Sequence, residues 1–577
     1  MTRSAKILLG LALLVFAFLL VRTAWVGDDV YITLRTVDNF VNGYGLRWNA
    51  AERVQSFTHP LWMFLFVTVY APTRDAYLTA LLVSCAASLL TFWLVARRDG
   101  FAWLGVAILL FSKAFVDYSA SGLENPATHL LLILFFIWFI EKRSAKSSRS
   151  TPVGPDFALG TKPLQSLETL ESDLLKLSFL AALLALNRLD AILFVLPALF
   201  YLLISPSLRG ADALSGAERS RRARRRSNPH AGEEIASRRS LAMTALKRLA
   251  LATLGFLPLL LWEVFSLFYY GFPFPNTYYA KLGAGIPQAD LFAQGLAYIA
   301  DSFTRDPLTL TVILAGIGFA FWRGQTRERL LAFGNLLYLG YVLSIGGDFM
   351  SGRFFTALMV VSALLLVRLL RDLTPRWKYA AVGAVVILGL FAQPPNFILD
   401  MNQPRFTEHD LLTGINDERA YYYPISGLMN YQPGKEIPFS SEGWVEHGKS
   451  LRANGKSVVD EKNVGFIGYF AGPAVHIVDL YALCDPLLAR RPAQTPALSE
   501  VEVSGKWRIG HFEREVPEGY LQTLRTGVNQ IRDPNLAAYY DQLALIVRGP
   551  LFSRARLAAI WKMNTGQFEH LLAESSQ

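Results

Sequence analysis

The chain has little sulfur chemistry to offer and little charge. Its two cysteines, Cys85 inside an apolar run and Cys484 far downstream, make neither a disulfide framework nor a thiolate metal site. Charged residues occupy 18% of the 577 positions against 52% hydrophobic and 13% aromatic. With a mean hydropathy of +0.30, that composition excludes a soluble enzyme and describes a polytopic membrane protein. Arg3 and Lys6 precede an apolar run to Trp25 that lacks a small-residue cleavage site, so the run reads as a retained first helix and not as a signal peptide. The glycines of Val464 to Pro473 lack the G-x-G-x-x-G spacing of a dinucleotide loop. The net charge of +10 is concentrated in an Arg-rich run from Arg219 to Arg239. No aromatic or base-reading residue interleaves it, which argues against nucleic acid as a partner and for a solvated cytoplasmic loop.

What is present is apolar and punctuated. Roughly twelve apolar stretches occur, at 7–26, 60–72, 77–96, 101–117, 127–140, 177–188, 190–204, 249–270, 308–322, 329–346, 354–371 and 377–393. The positive ends put the N-terminus and the loops 141–175 and 205–248 in the cytoplasm, so an even number of crossings separates Arg3 from the Arg-rich run. The short stretch 60–72, closed by Pro72, Arg74 and Asp75, is the one expected to be re-entrant or superficial, leaving about eleven transmembrane helices. The expected organisation is a membrane module over 1–393 and an extracytoplasmic soluble α/β domain over 394–577. In that domain 463–469 and 475–479 read as β-like pieces and Leu521 to Ile531 as helical. The turn-rich, acid-bearing loops all fall on the outer face, among them the loop 27–60 with its Asp-Asp pair.

Asp28 and Asp29 emerge where the first helix ends, and acids at that depth need a partner or a task. Transfer of a sugar from a lipid phosphate needs a carboxylate to take the acceptor's proton and cations to hold the leaving phosphate. Side chains of consecutive residues diverge, so one aspartate is the base and the other supports it, with neither favoured. Arg35, Arg53, His59, Lys281 and Arg353 are the candidate phosphate ligands; as single residues they equally suit membrane-edge snorkelling or, for His59, a turn. Glu124, Asn276 and Asp348 are candidates for sugar or acceptor contact, with helix capping or pairing of Asp348 with Arg353 as the structural alternatives. Trp444, Trp507 and Tyr421 to Tyr423 could stack on sugar rings or fill a core. These residues single out no particular cofactor. A divalent cation becomes a candidate if Asp28, Asp29 and Asp348 converge.

Taken in order, Asp28-Asp29-x-Tyr-Ile-x-x-Arg35, Asn-Gly-x-Gly-Leu with Glu52-Arg53-Val54, Ser121-Gly-Leu-Glu124, Arg188-x-Asp190, Pro275-Asn276-Thr-x-x-Ala-Lys281 and Gly346-Gly-Asp-Phe-Met-x-Gly-Arg353 resemble the GT-C membrane glycosyltransferases. The pattern is most similar to the terminal β-(1→2) arabinofuranosyltransferases. It continues in Asp417-Glu418-Arg419 and in Val478-Asp479-Leu480-x-x-Leu483-x-Asp485-Pro486-Leu487. The resemblance implies a GT-C helical module in the cell membrane and a polyprenyl-phosphate sugar donor, carrying arabinofuranose or another pentose or hexose. It also implies an envelope glycan or lipid-linked acceptor on the outer face, and activity that depends on Asp28 and Asp29. A transporter or flippase, whose charges would be spread along a path through the bilayer, and a non-catalytic envelope-assembly or motor-associated protein are the alternatives.

Overall fold

The computed structural model describes residues 3–98, 101–140, 167–204, 243, 245–397, 408–431, 443–455, 457–494 and 507–574. Most of the expected cytoplasmic loops 141–175 and 205–248 therefore lie outside the described residues.

Helices dominate, and the apolar stretches become helices. Among the described residues, Arg3–Thr23 and Ala76–Ala96 are each long and apolar enough to cross a bilayer. Two bent pairs raise the number to four if each is one span: Ala102–Phe111 with Lys113–Ser119, bent by 74°, and Ala245–Gly255 with Leu257–Tyr269, bent by 60°. The first bend has a chemical cause. Ser112 leaves the helix in an extended conformation, and its hydroxyl accepts the Phe115 N–H, capping the new helix. Pro60–Thr73, the stretch expected to be superficial, is a helix of 14 residues that buries Trp62, Met63, Phe66 and Tyr70. At the centre lies Phe355–Leu369, buried from Phe355 through Val367 and packed most extensively along Pro307–Arg323. The stretch expected at 190–204 opens as a 3-10 helix, Leu189–Phe194.

Among the described residues beyond 407 are two strands, Ser457–Glu461 and Val475–Asp479, paired in parallel with Ser457 opposite Val475. A parallel pair needs a crossover, and the helix Val464–Ala471 supplies it. The β-like reading thus holds for 475–479 and fails for 463–469. The helical stretch expected over 521–531 is shorter, Tyr520–Thr526, and is stopped by Gly527 in the left-handed region. This C-terminal part is bonded closely to the segment 27–60. Arg53 N–H donates to the Val547 carbonyl at 2.9 Å, and the Asn49 side chain donates to the Ile477 carbonyl at 2.9 Å.

Candidate functional site

The helix Asp28–Val41 starts at an extended Gly27, with both acids in its first turn, where carboxylates favour the positive end of the helix dipole. The two then part. Asp28 is buried and turned into the C-terminal chain: Oδ2 accepts the Gly465 N–H at 2.9 Å and Oδ1 the Phe466 N–H at 2.6 Å. It closes the N-terminus of Val464–Ala471, satisfying amides that a helix leaves orphaned. Burial pushes Asp28 up to about 7, against the pull of those amides. Asp29 is half-buried; both acids line two adjoining cavities, and it is Asp29 whose carboxylate has no backbone partner among the described residues. Burial raises its pKa; Asp348 and Glu124 add to the rise, and Arg353 and Lys281 oppose it.

One cavity, of about 130 Å³, is lined by Asp29, His59, Lys281, Asp348, Arg353 and Lys462, among others. The turn Gly346-Gly347 builds one wall. Both glycines have positive φ, and a Cβ on Gly347 would meet the Tyr298 ring at 2.5 Å. The turn aims Asp348, whose Oδ1 accepts the Phe349 N–H at 2.9 Å, and Arg353 Nη1 lies 3.4 Å from Asp348 Oδ2. Arg353 Nη2 also donates to both Glu124 oxygens, at 3.0 and 3.2 Å. Arg188 meets the same carboxylate at 3.2 Å. Glu124, enclosed by the two guanidiniums, is held well below the usual carboxylate range despite its burial. The Lys281 ammonium faces the cavity and has no ion pair among the described residues. By surface area the residue is exposed, yet protein crowds its ammonium, and the loss of hydration lowers its pKa, with Asp348 and Asp29 opposing. His59 bonds Thr33 Oγ1 at 2.9 Å, and burial pulls it down to about 4. At neutral pH it therefore offers a hydrogen bond and no charge.

The second cavity, of about 210 Å³, shares Asp28 and Asp29 with the first and is walled by Trp25, Phe349, Tyr421, Tyr422, Trp444 and Tyr481. Trp25 and Tyr422 stack at 5.9 Å, and Trp444 lies 6.3 Å from Phe466, near parallel to it. Beside Asp28, Asp29 and Lys462, Glu418 and Arg508 add charge to its lining; burial pushes Glu418 up to about 8. Lys462, Asn463, Tyr481 and His511 border both spaces.

Three sequence candidates stand elsewhere. Arg35 lies over the Trp48 ring at 4.2 Å and donates to the Trp48 and Val475 carbonyls at 2.9 and 2.8 Å. Arg53 reaches the Ile546 and Gly549 carbonyls. Asn276 donates to the Ala482, Leu483 and Asp485 carbonyls, at 2.9, 3.2 and 2.9 Å, clamping the turn after the second strand. None of the three lines either cavity. Asp28 faces the Val464–Ala471 helix, and among the described residues no group of three or more His, Cys, Asp or Glu is arranged to hold a metal ion. Sequence reasoning missed Glu418, Lys462, Arg508 and His511 as lining. The available signals were that Glu418 falls within Asp417-Glu418-Arg419 and that Lys462 immediately precedes the glycine-bearing stretch.

Two known proteins are similar to the chain. The terminal β-(1→2)-arabinofuranosyltransferase of Mycobacterium tuberculosis is 26% identical over 589 residues, spanning 86% of this chain and 81% of that protein. The protein of the same name from Corynebacterium glutamicum is 27% identical over 361 residues, spanning 57% of this chain and 46%, under half, of that protein. No family model and no solved structure matches the chain.

Proposed function

From its kinship with the terminal β-(1→2)-arabinofuranosyltransferases, we propose that this membrane glycosyltransferase moves one sugar from a polyprenyl-phosphate donor to a cell-envelope glycan or lipid-linked acceptor. The observation that carries the reading is the half-buried Asp29 in the common wall of a cation-bearing and an aromatic cavity. The donor's phosphate occupies the first cavity against Lys281, with Arg353 behind it, where charge growing on the leaving oxygen is met by fixed cations. Aromatic faces in the second cavity hold the acceptor, since the apolar face of a sugar ring stacks on Trp and Tyr. Asp29 takes the acceptor hydroxyl's proton as the new glycosidic bond forms, and the bond from the anomeric carbon to phosphate breaks, releasing polyprenyl phosphate. Asp28 positions the aspartate helix against the C-terminal chain.

This reading goes with a GT-C module of about eleven crossings over 1–393. Its active site and the domain over 394–577 lie on the outer face of the cell membrane, so that donor tails remain in the lipid while the reacting groups meet above it. The purified full-length protein, given a polyprenyl-phosphate arabinofuranose and an arabinan oligosaccharide, is expected to extend the oligosaccharide by one residue. Failure to bind any polyprenyl-phosphate sugar overturns the proposal. Binding with transfer of a different sugar changes only the donor's identity.

A further inference from the structure

The helix Arg554–Asn564 lies on the end of an apolar helix whose side chains face outward. Arg556 is fully buried and donates from Nη1 to the Phe268 carbonyl and from Nη2 to the Tyr269 carbonyl, both at 2.9 Å. These are last-turn carbonyls of Leu257–Tyr269, which a helix leaves without internal partners and where a cation is favoured. The Asn564 side chain donates to the Gly271 carbonyl at 2.8 Å. The C-terminal helix is thereby fixed at the level where the apolar helix ends.

Its outward face is not that of an element standing in water. Phe552 is 81% and Trp561 69% exposed, with Leu557 also exposed between them. Arg554 and Lys562 flank this face and are exposed too. Phe552 lies 5.4 Å from the Phe268 ring. Phe268 shares a helix face with Leu261 and Val264, at spacings of seven and four, and these are 60% and 69% exposed. The apolar strip of the neighbouring helix thus continues into Phe552 and onto the C-terminal helix. Exposed aromatics next to basic residues at the end of a lipid-facing strip suit the headgroup layer, where an amphipathic ring and a snorkelling cation both find their solvent.

We propose that Phe552 and the face Arg554, Leu557, Trp561 and Lys562 form an interfacial anchor, seated in the outer-leaflet headgroup layer of a bilayer containing anionic lipid. The anchor fixes the height of the C-terminal part above the bilayer. The inference rests on the membrane placement of Leu257–Tyr269 proposed above and is independent of which sugar is moved.

The test uses the full chain, carrying Cys85→Ala and Cys484→Ala, in nanodiscs of phosphatidylcholine and phosphatidylglycerol. Single cysteines introduced by Phe552→Cys, Trp561→Cys, Leu261→Cys or Val528→Cys are labelled with an environment-sensitive fluorophore and quenched by nitroxide lipids. Val528 is the control, exposed in the turn after Tyr520–Thr526, an element packed on the strand Ser457–Glu461. Expected are several-fold stronger quenching at 552 and 561 than at 528 by a shallow nitroxide, and quenching at 261 by a deep one. Quenching at 552 and 561 no greater than at 528 overturns the anchor. If 261 is still quenched, the membrane placement of the neighbouring helix survives; if 261 also escapes, that placement falls with it. Arg554→Glu combined with Lys562→Glu is expected to weaken quenching at 561 in phosphatidylglycerol-rich discs, and unchanged quenching overturns the assignment of anionic headgroups.

Discussion

Consecutive acids on a helix leave it about 100° apart, and here that divergence divides their tasks. Asp29→Asn keeps the shape and removes the proposed base, so kcat is expected to fall by about 10²- to 10⁴-fold while the unfolding temperature holds. Asp28→Asn sets an amide NH₂ against one of the two backbone N–H donors that now meet a carboxylate. It should cost about 1–3 kcal/mol of stability, with a smaller loss of transfer. Single-turnover rates and thermal unfolding read side by side decide this: an Asp28→Asn protein of native stability but no turnover would make Asp28 the base. The pH profile adds a second check. For the free protein to react, Asp29 must be ionised and Lys281 protonated. Asp29 lies above its ordinary 3.8 and Lys281 below its ordinary 10.5. The acid limb of kcat/KM should therefore stand above 3.8 and the alkaline limb below 10.5, a bell narrowed from both sides. Lys281→Ala should shift the acid limb further upward, because a cation that stabilises ionised Asp29 is gone. Limbs at the unshifted values would place both groups outside the mechanism.

Elements, more than single residues, explain where the sequence is readable. The Asp-Asp pair stood out because it follows an apolar run, and Asp348 with Arg353 because glycines interrupt another; both signals are local. Arg35 and Arg53 were not legible in this way, since the carbonyls that engage them lie 440 and 493 residues further on. The stretch Asn463 to Tyr469 reads as β-like from its short apolar run. It winds into a helix with Asp28, 437 residues earlier in the chain, meeting its first amides. That contact leaves no room for a side chain: a Cβ on Gly465 would stand 1.9 Å from the Asp28 carbonyl oxygen. Gly465→Ala should push the two helices apart, costing about 1–3 kcal/mol and lowering transfer in step with the unfolding temperature. The cation-bearing wall divides similarly. Lys281→Ala is expected to weaken donor binding by about 1.5–3 kcal/mol at unchanged stability. Arg353→Ala should weaken binding and also lower the unfolding temperature, because Glu124 then keeps Arg188 as its one side-chain hydrogen-bond partner among the described residues. A donor titration beside a melting curve separates the two effects; equal stability losses in both variants would return Lys281 to a structural role.

At the scale of the whole molecule, the segment 27–60 and the C-terminal chain are joined through buried polar contacts more than through a sliding apolar surface. Asp28 meets Gly465 and Phe466, Arg35 meets Val475, Asn49 meets Ile477, and Glu52 meets Arg548 at 3.0 Å. Glu52 is 1% exposed, so its charge depends on its partner. The nearby His476, at 3.7 Å, also favours the ionised carboxylate, but burial pulls it down to about 4, so that Arg548 is the partner that carries a full charge at pH 7. Arg548→Ala therefore strands a buried carboxylate and should cost about 3 kcal/mol. Glu52→Gln should cost less, since it removes the charge that needs the guanidinium. Combined with Arg548→Ala it should recover much of the loss, a coupling between residues 496 positions apart in sequence. Cys484, buried beyond the second strand, provides the readout: a thiol-reactive fluorophore follows its exposure on heating. If the joint between loop and C-terminal chain sustains the site, transfer across the four proteins of this cycle should follow their unfolding temperatures. Strictly additive losses would mean that Glu52 and Arg548 do not act on one another, and that the remaining contacts hold the two parts together.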